Sequence, residues 1–234
     1  MFMGLRRFTV IPLFLLAACS MPTAKDKVSV KKITDFWGGS CSYSVTSSVS
    51  TEKGKRKTFV LTLENSGSFK NTPAVIITSN MALTIYNGWT TVERESYTHI
   101  KTILKTEKET QETEYAVAQL KGIKEKEPMF NNFVTDMSHH AYSDIFRHMD
   151  KSLYNDTDVV KYNKGMAALD SMYGTVKSGE LVGFYLEDAD TTNAGRPTLS
   201  LFGLMQREKN KEQLMIVIDP ARGQDEAYLR AIKY

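Results

Sequence analysis

Five residues of the types that bind metals and carry protons lie close together in mid-chain: Asp136, His139, His140, Asp144 and His148. Asp136, His140, Asp144 and His148 are spaced by four, and residues four apart are neighbours on the surface of a continuous helix. Imidazole nitrogens and a carboxylate suit zinc or copper. His140, Asp144 and His148 are therefore the candidate metal ligands, and a metal-binding protein or an enzyme built on this cluster is one reading of the chain. Geometry argues against it: at 3.6 residues per turn, an i, i+4, i+8 row drifts by roughly 40° at each step. Three ligands from one helix then converge poorly on one ion, and a polar helix flank with one half-buried histidine is the plainer account. The His-Glu-x-x-His signature is absent.

Other chemistries find less support. The chain has no glycine-flanked serine elbow. Gly38-Gly39-Ser40-Cys41 lacks the Lys-Ser/Thr pair of a phosphate-binding loop. Asp188, Asp190, Thr191 and Asn193 are calcium-ligand types, but their spacing does not match an EF-hand, so they read as a polar hairpin loop. The basic stretch from Thr51 to Lys57 can touch lipid phosphates, though an exposed hairpin tip needs no partner. Phe36-Trp37 stands out as a membrane or partner contact, with a lid over the core as the alternative. No catalytic constellation emerges, and the balance favours a non-enzyme.

Pattern and punctuation place these residues on elements. Cys41, Tyr43, Val45 and Val49 largely alternate, so residues 41–50 read as a strand, and Thr58 to Leu63 as a second, joined through the glycine-containing tip at Gly54. Ala74 to Ile77 and Ala82 to Tyr86 are rich in branched residues and read as strands, with Asn87-Gly88 as a turn. Residues 96–123 fit a long hairpin turning near Glu109 to Glu112; a helix is the alternative. Pro128 opens a helix whose apolar stripe runs from Phe130 to Met149, and Asn155 to Asp158 offer capping oxygens to a second helix ending at Gly174 or Gly179. Leu181 to Glu187, Thr198 to Gln206 and Leu214 to Asp219 are strands, and Gln224 to Ile232 can form a short final helix. The class is α+β: antiparallel sheet elements flanking a central helix pair, with a short C-terminal helix.

The N-terminus gives an address. Met1 to Arg7 carries two arginines and no acid, and the next 11 residues, Phe8 to Ala18, are apolar apart from Thr9. That is a secretory signal peptide, too short to span a bilayer, which takes about 20 residues. The residues after Arg6-Arg7 fit a twin-arginine signal poorly. Leu16-Ala17-Ala18-Cys19 resembles the lipobox of bacterial lipoproteins. The resemblance covers only the first 20 residues. It implies cleavage before Cys19, a diacylglycerol on its sulfur and an acyl chain (a palmitate, typically) on its amine, with no other cofactor. Two or more chains anchor stably where one does not. Ser20, in place of an aspartate, implies sorting to the outer membrane, facing the periplasm. An ordinary cleavable signal ahead of a soluble periplasmic protein is the alternative.

The resulting organisation is a signal peptide at 1–18, a lipidated N-terminus and tether at 19–35, and a single α+β periplasmic domain at 36–234. The tether's central stretch of about 10 residues reaches roughly 35 Å at most. Removing Arg6 and Arg7 lowers the net charge from +3 to +1, with 28 basic against 27 acidic residues, which gives no general attraction to nucleic acid. With Cys19 lipidated, Cys41 has no cysteine to pair with and reads as a buried strand residue. The expected function is a lipid-anchored envelope accessory or binding protein whose partners are the membrane, through the anchor, and another envelope protein. The metal-site reading is the first alternative; a lipoprotein component of a secretion or conjugation machine is the weaker one.

Overall fold

A computed structural model of the chain describes residues 24–50, 54–67, 72–107, 109–188 and 195–233. The signal segment and Cys19 lie outside the described residues, as do Asp190, Thr191 and Asn193 of the acidic loop. The first described element overturns an expectation. Residues 24–35, read as tether, belong to helix α1 (Ala24–Trp37). Asp26, Ser29, Ile33 and Trp37 are buried along one side at intervals of three and four. The stripe is narrow and half polar, set among lysines, and so looks like a solvated linker in sequence. Asp26 accepts a hydrogen bond from Trp89 Nε1 at 3.1 Å, and Trp37 Nε1 donates to Asn80 Oδ1 at 2.7 Å.

Gly38 and Gly39 turn α1 into the first sheet, both with positive φ. At Gly39 a methyl group would also overlap the backbone of Glu64 and Asn65, so glycine is required there twice over. The sheet has the order β1 (Ser40–Ser50), β2 (Gly54–Glu64), β3 (His99–Lys105), β4 (Thr110–Ala116). The β1–β2 and β3–β4 pairs are antiparallel, as short turns require, but β2 and β3 run parallel. A parallel pair needs a crossover, and it comes from the two segments expected as strands: 74–77 and 82–86 are both part of one helix, α2 (Ala74–Gly88), followed by the short α3 (Thr91–Ser96).

The reason for that difference is burial. Helix α2 is apolar almost all round, with Ile76, Ile77, Met81, Ala82, Leu83, Ile85 and Tyr86 buried. Such a helix shows no amphipathic period and cannot be told from buried strands by pattern. Its polar residues are paired inside the core: Thr78 Oγ1 lies 3.0 Å from the Tyr115 hydroxyl, and Ser79 Oγ accepts from the Phe184 amide at 2.9 Å.

Within the expected hairpin over 96–123, residues 99–116 form β3 and β4, but the turn lies between Lys105 and Thr110 rather than near Glu109 to Glu112, which places Glu112 inside β4 opposite Ile103. Val117, however, begins helix α4 (Val117–Ser138), so Pro128 lies inside that helix rather than opening it. The helix then stops at Ser138, eleven residues before Met149, where the apolar stripe ends. His140 takes φ 57°, its amide bonds to the Met137 carbonyl, and the Ala141 amide reaches back to Asp136. This is the Schellman ending, with histidine where glycine is usual. A separate short helix α5 (Tyr142–Arg147) follows, then α6 (Asp156–Tyr173). The Asn155 side chain caps α6 as expected, accepting from the Thr157 and Asp158 amides, while Asp158 reaches back to the Asn155 amide.

The second sheet is an antiparallel meander: β5 (Val176–Glu187), β6 (Thr198–Arg207), β7 (Lys211–Ile218), β8 (Leu229–Lys233). The helix expected over 224–232 is absent; tight turns carry the chain from Asp219 to β8, which pairs with β7. Alternating Leu214, Ile216 and Ile218 on β7 complete the core side of the sheet, and β8 is needed to pair its outer edge. Helices α2 and α4 pack on β5. Glycines make this close: Gly203 faces the ring of Phe130, Gly179 faces Val134, and Gly183, at a bulge, faces Ser79 and Ile76. Residues from both sheets and from α1, α2, α4 and α6 join in one contiguous hydrophobic core. The α+β class holds, with mixed and antiparallel sheets sharing a set of central helices.

Candidate functional site

Because the chain leaves the helix at Ser138, the four-residue spacing of the His/Asp cluster loses its meaning. His140, Asp144 and His148 are not brought together. His140 Nδ1 lies 2.7 Å from Asp170 Oδ2 and 3.0 Å from the Tyr142 hydroxyl. Asp144 pairs with Arg147. His148 stacks on Tyr228, ring centres 4.9 Å apart, with Nδ1 3.2 Å from the Glu226 carbonyl oxygen. Among the described residues no three His, Cys, Asp or Glu side chains form a set of metal ligands. Asp136 keeps electrostatic neighbours from the group in Asp144, His148 and His139. Burial and the nearby Asp144 raise its carboxyl above the ordinary carboxylate range, and His148, Arg147 and His139 only partly offset this.

The residue that organises this end of the molecule was not visible in sequence. Arg207, on β6, is fully buried. Its Nη1 lies 2.5 Å from Asp170 Oδ1 and donates to the Gly174 carbonyl at 3.0 Å, and its Nε donates to Glu212. Burial opposes the charge, but hydrogen bonds to Glu212 and Asp170 outweigh it and hold the guanidinium protonated. Asp170 thus collects Arg207, His140 and Tyr142. A carboxylate behind an imidazole is the orienting half of an acid–base pair; among the described residues the hydroxyl that His140 reaches is Tyr142's, which also donates to Asp170. The cluster fastens α6 and the end of α4 to the second sheet. No sequence spacing signals it, because His140 lies 30 residues before Asp170 and Arg207 37 residues after it, on separate elements.

Phe36 and Trp37 are placed differently from each other. Trp37 is buried and Phe36 is 40% exposed, their rings edge to face at 4.7 Å. Together they wall one end of a trough on the outer face of the second sheet. The strand alternation fixes which residues line it. Leu199, Leu201, Gly203 and Met205 of β6 point to the core, so Ser200, Phe202 and Leu204 point outward. Register sets Phe202 opposite Met215 and Ser200 opposite Val217, with Met215 opposite Lys233 on β8.

The trough has two compartments. One, about 560 Å³, is lined by Phe36, Trp37, Pro73, Ile76, Val182, Phe202, Leu204 and Met215 among others. The second, about 570 Å³, holds Asp150, Ser152, Glu187, Arg196, Ser200 and Arg230, again with Phe202, Met215 and Lys233. Each lies within the few hundred to 1,000 Å³ of small-ligand sites. Several polar groups are engaged already. Arg230 pairs with Asp219 at 2.7 Å, Glu187 accepts from Thr198 at 3.2 Å, and Asp150 accepts from Ser152 at 2.7 Å.

Cys41 lies on β1 opposite Leu63, half buried, and burial pushes its thiol up to about 12. It is a poor nucleophile at neutral pH. The basic hairpin is partly tied down: Arg56 pairs with Glu114, and Lys57 lies over the Tyr97 ring at 4.4 Å. No described helix is long and apolar enough to cross a membrane. Comparison with known proteins returns no matching family model, no matching curated protein and no matching solved structure.

Proposed function

We propose that the chain is a lipid-anchored envelope lipoprotein, held to the outer membrane through Cys19 and facing the periplasm, that acts as a non-enzymatic accessory or binding protein. The Leu16-Ala17-Ala18-Cys19 sequence behind a basic and apolar segment carries this reading. The structure bears on its geometry. Helix α1 starts at Ala24 and is fastened within its first turn by the Asp26–Trp89 bond. From Cys19 to Ala24 is five residues, at most about 18 Å of chain, so an anchored domain would stand closer to the lipid than the 35 Å tether allows. The surface feature that supports a binding role is the trough behind Trp37.

Fractionation of cells carrying the native chain or Cys19→Ala, with crosslinking before lysis, tests this. The native chain is expected in the outer-membrane fraction, crosslinked to a defined envelope protein, and the variant in the soluble fraction. A native chain found soluble removes the anchor. Turnover of an envelope substrate, with no specific crosslink, removes the accessory role.

A further inference from the structure

We propose that the outer edge of β1 pairs antiparallel with the same edge of a second copy of this chain, across a twofold axis at Val45, so that two four-stranded sheets join into one of eight strands. The pairing goes beyond the binding role proposed above and does not rest on the anchor, so a chain without lipid would leave it standing.

The first observation is a contrast among sheet edges. An edge strand presents a row of N–H and C=O groups that recruits another strand unless something blunts it. Among the described residues, three of the four edges are blunted. Strand β4 is seven residues long and carries Glu112 and Glu114. Strand β5 is broken by two register shifts and carries Lys177, Glu180 and Glu187. Strand β8 is five residues long, with Arg230 and Lys233. Strand β1 has none of these devices. It runs for 11 residues without a charged side chain or a proline, about twice the usual strand length. It pairs with β2 in unbroken register from Ser40 opposite Glu64 to Ser50 opposite Gly54. Strand β2 is its one sheet neighbour among the described residues, and no residue from Ser40 to Val49 is buried.

The second observation says why a copy of this chain fits that edge. A twofold axis perpendicular to the sheet runs the two strands antiparallel and keeps like faces together. Centred on Val45, it overlaps all 11 residues of β1. On the wet face it sets Ser44 opposite Thr46 of the second copy and Ser42 opposite Ser48. Hydroxyl pairs of this kind are favourable across strands, and no like charges meet. On the other face, Cys41, Tyr43 and Val45 pack against the core, and Tyr43 stacks on Phe59 with ring centres 5.4 Å apart. Val49 continues that row past the core and is 77% exposed, the most exposed large apolar side chain among the described residues. The same register sets Val49 opposite Cys41 of the second copy, beside that apolar row. Symmetry repeats the contact at both ends of the interface. A strand from another protein could satisfy the main chain, but it would have to supply an apolar residue at the position that this chain's own sequence already fills.

Sedimentation of the purified full-length chain carrying Cys19→Ala, which removes association through attached lipid, tests the pairing. A monomer–dimer equilibrium is expected. Ser44 and Thr46 are exposed and face Val60 and Thr58 on β2, so charges placed there meet no charge opposite them within the chain. Ser44→Lys with Thr46→Lys sets like charges directly opposite each other twice, and should raise the dissociation constant at least about tenfold. Ser44→Lys with Thr46→Glu disturbs the same two positions but sets opposite charges together, and should restore dimers to within about threefold of the unsubstituted chain. Oxidation of a Cys41→Ser chain carrying Ser42→Cys and Ser48→Cys should give a covalent dimer. Neither cysteine alone should do so, because identical positions then lie six residues apart along the strands, roughly 20 Å. A chain that stays monomeric across the accessible concentration range would overturn the self-pairing and leave the edge to a strand of another protein. Undiminished dimers in the double-lysine variant would move the interface away from β1. Covalent dimers from a single cysteine, or failure of the Lys/Glu variant to recover, would contradict the antiparallel register.

Discussion

At the scale of single residues, two charges, the buried Arg207 and the half-buried Asp136, are in opposite situations. Arg207 has partners for its charge, whereas Asp136 has an acid for a neighbour. Replacing Arg207 with Met leaves Asp170 and Glu212 facing each other with no cation, at 10% and 16% side-chain exposure. Removing one partner of such a network typically costs about 3–5 kcal/mol, and a urea-unfolding midpoint should fall accordingly, with His140→Ala producing a much smaller change. Asp136 behaves in the other sense. Its carboxyl is raised in the folded state by burial and by Asp144, so ionisation costs stability above the ordinary carboxylate range. Asp136→Asn should therefore raise the unfolding midpoint at neutral pH, and the gain should vanish as pH falls below that range, where folded and unfolded chains both hold the proton. A variant that is less stable at pH 7, or a gain that persists in acid, would contradict the assignment.

At the scale of elements, a helix start with a capping box follows local rules, and helix stops depend on what the chain meets. The α6 cap was legible because Asn155 and Asp158 complete the box within four residues; Asn155→Ala should cost about 1 kcal/mol, read as a lower thermal midpoint. The end of α4 was not legible. Nothing in Ser138-His139-His140 marks a left-handed ending, and the apolar stripe continues through Ile145 and Met149 because α5 packs on the same core. His140 holds that conformation while its ring is bound to Asp170, 30 residues on. His140→Gly should accordingly tolerate the ending better than His140→Ala, by roughly 1 kcal/mol, since both lose the Asp170 bond and only glycine avoids the backbone strain. The same logic explains α2, where uniform burial erased the helical period, and β8, whose strand role exists only because β7 needs an outer neighbour. Strands β1 to β3 and β5 to β7 were readable from alternating or clustered apolar residues, whereas β4, with Tyr115 as its one buried residue, lies several residues before the expected returning strand.

At the scale of the whole molecule, the two sheets share one core, and the surfaces left over have different characters. The first sheet turns a face of cross-strand charge pairs outward, such as Lys101–Glu112 at 2.5 Å and Lys105–Glu64 at 2.7 Å. The second turns out a half-apolar trough. Of the candidate site residues, Phe36 and Trp37 stand out in the sequence as an aromatic pair, but Phe202, Leu204, Met215 and Lys233, which line the same trough, come from distant strands and only the fold assembles them. The His/Asp cluster looked like a site because a continuous helix was assumed. With α1 packed from Asp26, the distance between the core and Cys19 is set by the few residues between them, and where the protein works depends on what is attached there. Mass spectrometry of the N-terminal peptide of the protein isolated from cells measures this directly. A peptide beginning at Cys19 and carrying a diacylglycerol and an acyl chain is the result expected. An unmodified Cys19, or a mature chain beginning elsewhere, would contradict the anchor and with it the placement of the domain at the membrane.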